Sequence, residues 1–358
     1  MKQTIVMILL ALFLVGCEQN EIEKTEEKDP LVVDEEVLSV KTLKTSEENL
    51  RFVAGWLDDM NIAYVDHHDA EDRLQVFNLK TGEIHTIYTD ASIISEVLIH
   101  RSKKQLLVKT SDTSTEANMT VIDTEGQVLD ELTVESSELE IQWNDAEASK
   151  LLISAFREDW SYQVFLYDMN EKSLEPIELT DPFPQWMGED QLVYLEGSTI
   201  VKESLQTSER SELVSEVNSF HASSEQLVVE IPDEEQTRFT VLDANGEEKH
   251  TWQAEHSSET IEDVEFIDDD NIIMSTNLSS DNQEGMSTMV QVIDGEAIKR
   301  YDPEVEGGLL NCSPDGGACL VGYRMDTLID LQTGKTTQWL QVDEEESVIE
   351  TAEAITEE

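Results

Sequence analysis

Trp56-Leu57-Asp58-Asp59-Met60-Asn61-Ile62 and Phe266-Ile267-Asp268-Asp269-Asp270-Asn271-Ile272 share one pattern. A bulky residue closes a short strand, an acid-rich turn follows, and an apolar residue opens the next strand. Weaker instances run from Ile99 to Leu106, Trp143 to Leu151, Trp186 to Leu192, Phe220 to Leu227 and Cys312 to Leu320. The starts lie 43, 44, 43, 34, 46 and 46 residues apart. A recurrence of that length marks a propeller or a helical array.

Local pattern decides between the two. Ile62-Ala-Tyr-Val65, Leu74-Gln-Val-Phe77, Leu106-Leu-Val108, Phe239-Thr-Val-Leu242 and Met289-Val-Gln-Val-Ile293 are short, rich in β-branched or aromatic residues, and bounded by turn residues. After the third strand of most units comes Asp or Asn and then Gly, as in Asp123-Thr-Glu-Gly126 and Asp243-Ala-Asn-Gly246. That chemistry suits a tight hairpin turn. Each unit therefore reads as four antiparallel strands, and radial stacking buries their faces. The fold class is all-β, a single β-propeller of four-stranded blades over residues 46–342. The period counts seven units over residues 52–341. The short fourth unit, which lacks the Gly turn, leaves six or eight open. Val37-Leu-Ser-Val-Lys-Thr-Leu43 is available as an outer strand fastening the ring to the last blade.

The N-terminus gives an address. Lys2 precedes an apolar run of 11 residues, Ile5 to Val15, long enough for a signal h-region and too short to span a bilayer. Leu14-Val15-Gly16-Cys17 matches the lipobox of bacterial lipoproteins. The resemblance implies removal of residues 1–16, acylation (palmitate) of Cys17, and anchoring at the extracytoplasmic face of the cell membrane. Glu18 to Pro30 holds six acids and reads, within segment 17–45, as a solvated tether. The acidic tail 343–358 reads as frayed.

The chain of 358 residues carries 23 Lys and Arg against 79 Asp and Glu, a net charge of 23 − 79 = −56. Such an excess excludes nucleic acid as a partner, because a phosphate backbone needs a positive footprint. Acids spread over every unit read as a solvated, self-repelling surface.

A family resemblance joins this reading. Gly55-Trp56-Leu57-Asp58-Asp59, Trp143-Asn144, Phe156-Arg157-Glu158-Asp159-Trp160 and Phe183-Pro184-Gln185-Trp186 resemble the YqgU-like β-propeller lipoproteins of Gram-positive bacteria. The resemblance implies six blades, against seven by period, and no assigned activity. Ser313-Pro314-Asp315-Gly316 also looks like the hairpin of TolB-type and peptidase-associated propellers, a turn signal shared too widely to carry function.

Chemistry is sparse. The sequence has no G-x-S-x-G elbow, no H-E-x-x-H and no P-loop. His67-His68 with Asp69, Glu71 and Asp72 has metal-ligand chemistry but reads as a solvated loop, since adjacent strand residues point opposite ways. Acid-rich turns lack the alternating spacing of a calcium loop. No cofactor and no metal are expected. Cys312 and Cys319 flank a six-residue turn and form an even pair once Cys17 is acylated. They read equally as a disulfide or as two small buried hydrophobes.

The remaining candidates are on loops between second and third strands: Arg157 and Trp160, Arg238, and Tyr323 and Arg324. Arginine beside an aromatic suits a carboxylate or a ring on a ligand; local ion pairing with a packed Trp160 is the plainer account. The leading reading is a non-catalytic module that binds an envelope protein or small ligand. The alternative is a hydrolase or lyase acting on an envelope sugar or lactone through rim carboxylates.

Overall fold

The computed structural model describes residues 40–233, 236–279 and 286–343. Cys17, segment 1–16, most of the tether and nearly all of the tail lie outside the described residues.

Among the described residues there is no helix, and seven four-stranded antiparallel sheets follow one another along the chain. They form blades 1 to 7 over residues 50–90, 93–135, 138–177, 185–214, 219–253, 259–301 and 310–338. Within each sheet the strands lie side by side in chain order. First strands of adjacent blades touch one another around most of the axis, including those of blades 7 and 1. The count of seven agrees with the period; six, implied by the resemblance, is corrected.

The second strands explain why the sequence shows unbroken apolar runs. Leu106 and Val108 pack against blade 1, while Leu107 between them packs against blade 3. Leu227, Val228 and Val229 alternate between blades 4 and 6 in the same way. A strand buried on both faces has no polar side to display. Each of the seven blade interfaces, from 1–2 round to 7–1, holds its own apolar cluster.

The turn chemistry is equally local. Gly126 adopts φ +83°, and a Cβ there would sit 1.9 Å from the Ile87 carbonyl oxygen of blade 1. Blades 3 and 4 lack the glycine and place Lys172 (φ 54°) and Ser208 (φ 55°) in the left-handed region instead. Short turns and connections account for the compressed fourth period: Gln191–Glu196 follows Gln185–Met187 closely and turns at once into Thr199–Ser204.

Blade 1 meets blade 7 through Trp56, whose amide donates to Asn311 Oδ1 at 2.8 Å and whose indole donates to the Asn311 carbonyl at 3.0 Å. Trp186, the equivalent residue of blade 4, likewise donates its indole to Gln142 of the preceding blade at 3.1 Å. A parallel pair, Leu43–Ser46 with Leu340–Asp343, clasps the two ends of the body together. Leu43 is buried against Trp339 and Leu340. The clasp extends to Leu43 at one end and to Asp343 at the other.

Candidate functional site

Antiparallel strands in chain order give the disc two chemically different ends. The turns joining strands 1 to 2 and 3 to 4 emerge at one end, the turn face. The loops joining strands 2 to 3, with the connections between blades, emerge at the other, the loop face.

Arg157 and Trp160 occupy the loop between the second strand (Lys150–Phe156) and third strand (Tyr162–Asp168) of blade 3. Tyr323 and Arg324 occupy the corresponding loop of blade 7, between Ala318–Val321 and Thr327–Asp330. Both pairs are thus on the loop face, but Arg157 lines one cavity and Tyr323 with Arg324 another. Arg157 borders one of about 480 Å³ at the seam of blades 2 and 3, with Thr115, Glu135 and Ser136. Tyr323 and Arg324 border one of about 470 Å³ at the seam of blades 7 and 1, with Glu47, Arg51 and Phe52. Arg238 is not on a loop: it lies in the third strand of blade 5, opposite Ile231 and Gln253, because that strand begins at Thr237.

The arginines are locally engaged. Arg324 contacts Glu47 at 2.6 Å, and Arg157 donates to Ser161 Oγ at 3.4 Å. The aromatics are not covered. Trp160 is 75% exposed and Tyr323 77% exposed. Trp160 is held out by a left-handed backbone, φ 64°. Of the eight exposed large hydrophobic residues described, five belong to this end: Ile93, Trp160, Phe183, Leu309 and Tyr323. Phe183 packs on Phe156, the last residue of the strand before the Trp160 loop, at 5.8 Å.

Histidine 67 is tied down. Its Nδ1 lies 2.6 Å from Asp72 Oδ1, and buried Asp72 also accepts from Arg51 and from the Ile94 amide of blade 2. Asp268 spends its oxygens on the amides of Asp270 and Asn271. Among the described residues no group of three or more His, Cys, Asp and Glu is disposed to hold a metal ion. Cys312 and Cys319 stand directly opposite across the first two strands of blade 7 and are joined as a disulfide.

A third cavity, of about 380 Å³, opens at the turn face. Blades 2, 3, 5, 6 and 7 all contribute to its lining, which puts it on the axis. Arg101 of blade 2 donates from Nη2 to the carbonyl oxygen of Ile267 in blade 6 at 3.2 Å, crossing the opening. Its Nη1 lies 3.7 Å from Asp145 Oδ2 in blade 3. Lys103 lies on the same turn with φ +59°, and among the described residues no carboxylate oxygen is within 4.0 Å of its Nζ. Glu265 of blade 6 accepts from Asn311 Nδ2 at 2.9 Å through Oε1.

Protein packs round these charges, and their titration moves accordingly. Burial, reinforced by the charge of Asp263, pushes Glu265 up to about 7 against the opposing pull of Lys103. Burial raises Asp263 to about 6. Desolvation lowers Lys103 and raises Asp145. In the same inner ring, burial takes His221 down to about 4.

The axial residues were not singled out from sequence, although one signal was present. Six of the seven turns between first and second strands are acidic or neutral, while that of blade 2, His100-Arg101-Ser102-Lys103-Lys104, is basic.

Comparison with known proteins agrees with a β-propeller, the matching family being described with six blades where this chain has seven. The model of the YqgU-like 6-bladed beta propeller domain matches residues 78–278, from the third strand of blade 1 into blade 6. An uncharacterised lipoprotein, YqgU of Bacillus subtilis (strain 168), is 21% identical over 97% of this chain and 99% of its own. Among solved structures, the uncharacterised protein lmo1340 of Listeria monocytogenes EGD-e superposes with a TM-score of 0.76 at 17% identity, covering 85% of this chain and 98% of that one. The β-propeller domain of the Trilobed protease from Pyrococcus furiosus gives 0.54 at 16% identity, with coverage of 85% and 98%. These low identities speak to the fold.

Proposed function

The chain belongs to the YqgU-like β-propeller family, and from that premise we propose a lipid-anchored, extracytoplasmic binding module without catalytic activity. Acylated Cys17 is its membrane anchor, and its loop face receives an envelope protein or ligand bearing acidic or aromatic groups. The observation that carries this reading is the gathering of five exposed large hydrophobics on one end, with Trp160 and Tyr323 the most exposed aromatics described. Exposed apolar side chains concentrated on one face of a soluble body mark an interaction surface. Arg157 and Arg324 beside them supply local positive charge in a field of carboxylates, where a partner with acidic groups would otherwise be repelled.

Two variants test it. Cys17→Ser should release the folded body from the membrane fraction; equal retention refutes the anchor. In cross-linked co-purification from membranes, Trp160→Ala/Tyr323→Ala should lose a stoichiometric partner that the parent retains, with unchanged melting. Equal capture by both refutes the face. The reading as a hydrolase or lyase draws support from Asp263 and Glu265, whose raised titration suits a proton donor. Turnover on a panel of envelope glycans and lactones, abolished by Glu265→Gln, would replace the binding role with that one.

A further inference from the structure

The axial cavity differs from the loop face in every respect that matters for recognition. It is small, at the lower end of ligand pockets (about 300–1,000 Å³). Its wall holds charges of both signs in fixed positions, with Ile99, Val264 and Phe266 between them. It is independent of the partner surface proposed above, since it opens at the opposite end of the disc.

The two signs are the informative feature. A simple cation has carboxylates available over the whole surface of this protein and needs no cavity. A simple anion must approach a body of net charge −56 and then lie beside Asp145 and Glu265. Only a ligand with both charges satisfies both sides of the wall. The resting contacts leave room for it. Arg101 and Asp145 are 3.7 Å apart, outside hydrogen-bond reach, and Lys103 has no carboxylate contact within 4.0 Å among the described residues. The acid is pre-positioned, because Asn311 holds Glu265 at 2.9 Å while Trp56 holds Asn311 at 2.8 Å. The cation is presented by a left-handed backbone at Lys103, whose amide donates to the His100 carbonyl at 2.7 Å. Non-glycine residues occupy that region at a cost and concentrate at functional sites.

We propose that the axial cavity binds a small zwitterion, a free amino acid or dipeptide, with its carboxylate toward Lys103 and Arg101 and its ammonium toward Glu265 and Asp145. The apolar wall takes a short aliphatic side chain.

Calorimetric titration of the full chain in detergent tests this with L-alanyl-L-alanine and L-alanine as zwitterions, acetate as the anion and methylammonium as the cation. At least one zwitterion should bind saturably, about tenfold or more tighter than either single ion. N-acetylation of the dipeptide should abolish that preference. Lys103→Gln should weaken the zwitterion about tenfold or more at unchanged melting, whereas Lys104→Gln, on the same turn but outside the wall, should leave binding intact. Acetate or methylammonium binding as tightly as the zwitterions would overturn the proposal. So would the absence of saturable binding by both zwitterions, or unchanged affinity in a folded Lys103→Gln.

Discussion

Trp56 and Asn311, 255 residues apart in the chain, are joined by two hydrogen bonds, from the Trp56 amide to Asn311 Oδ1 and from its indole to the Asn311 carbonyl. The pair fastens blade 1 to blade 7, and the same Asn311 side chain turns its Nδ2 to Glu265 of blade 6. One asparagine thus links the closing seam of the ring to the wall of its axial cavity.

Closure depends on a glycine. Gly55 takes φ +125°, and a Cβ there would lie 2.3 Å from Asn311 Oδ1. Gly55→Ala is expected to lower stability by about 1–3 kcal/mol, from the strained backbone and displaced Asn311. Thermal melting checks this; an unchanged midpoint would show that the seam yields without cost.

The disulfide of Cys312 and Cys319 closes a short loop, with a sequence separation of 7. In the chain-entropy account, a loop so short stabilises by about 2 kcal/mol. Cys312→Ala/Cys319→Ala should lose about that amount in urea unfolding, and reduction of the parent should reproduce most of the loss. Identical midpoints for oxidised and reduced parent would refute the contribution.

Glu265 has a pH signature. Its folded-state value of about 7 lies above the ordinary 4.5, so its contribution is fully present below about 4.5 and is lost as pH rises through about 7. The groups that face it are Asp263, Lys103 and Arg101. Glu265→Gln keeps an acceptor for Asn311 and removes this loss. The variant should gain stability relative to the parent between pH 5 and pH 8, by on the order of 3 kcal/mol at most. Parallel stability curves over that range would show that Glu265 titrates normally.

The loop-face arginines are expected to serve recognition and not stability. Arg157→Gln/Arg324→Gln should change unfolding free energy by only about 0–1 kcal/mol, since both contacts are exposed. The same variant should weaken partner capture from membranes. A large drop in melting temperature would identify these arginines as structural.

Much of the fold was legible because a blade is a local object. Bulky closers, acid turns and apolar second strands all act between residues that are neighbours in sequence, so the period counted seven blades directly. The clasp was less legible. The sequence offered 37–43 as an outer strand to the last blade, whereas the strand that pairs is Leu43–Ser46, against Leu340–Asp343 from the far end of the chain. Glycine-free turns at Lys172 and Ser208 hid two hairpins, because a left-handed φ held by surrounding contacts has no sequence mark.

By itself, the sequence indicated most of the strands and turns, a count of seven blades with six or eight left open, and the end of the disc on which Arg157, Trp160, Tyr323 and Arg324 emerge. Chain direction within each blade is enough for that. Only the tertiary structure decided that Arg157 lines one seam and Tyr323 with Arg324 another, and that Arg101, Asp145, Glu265 and Asn311 converge on the axis. Their meeting depends on ring closure and blade spacing, which are sums over all seven interfaces. A basic turn in blade 2 and a half-buried glutamate in blade 6 become one site only when the ring brings them face to face.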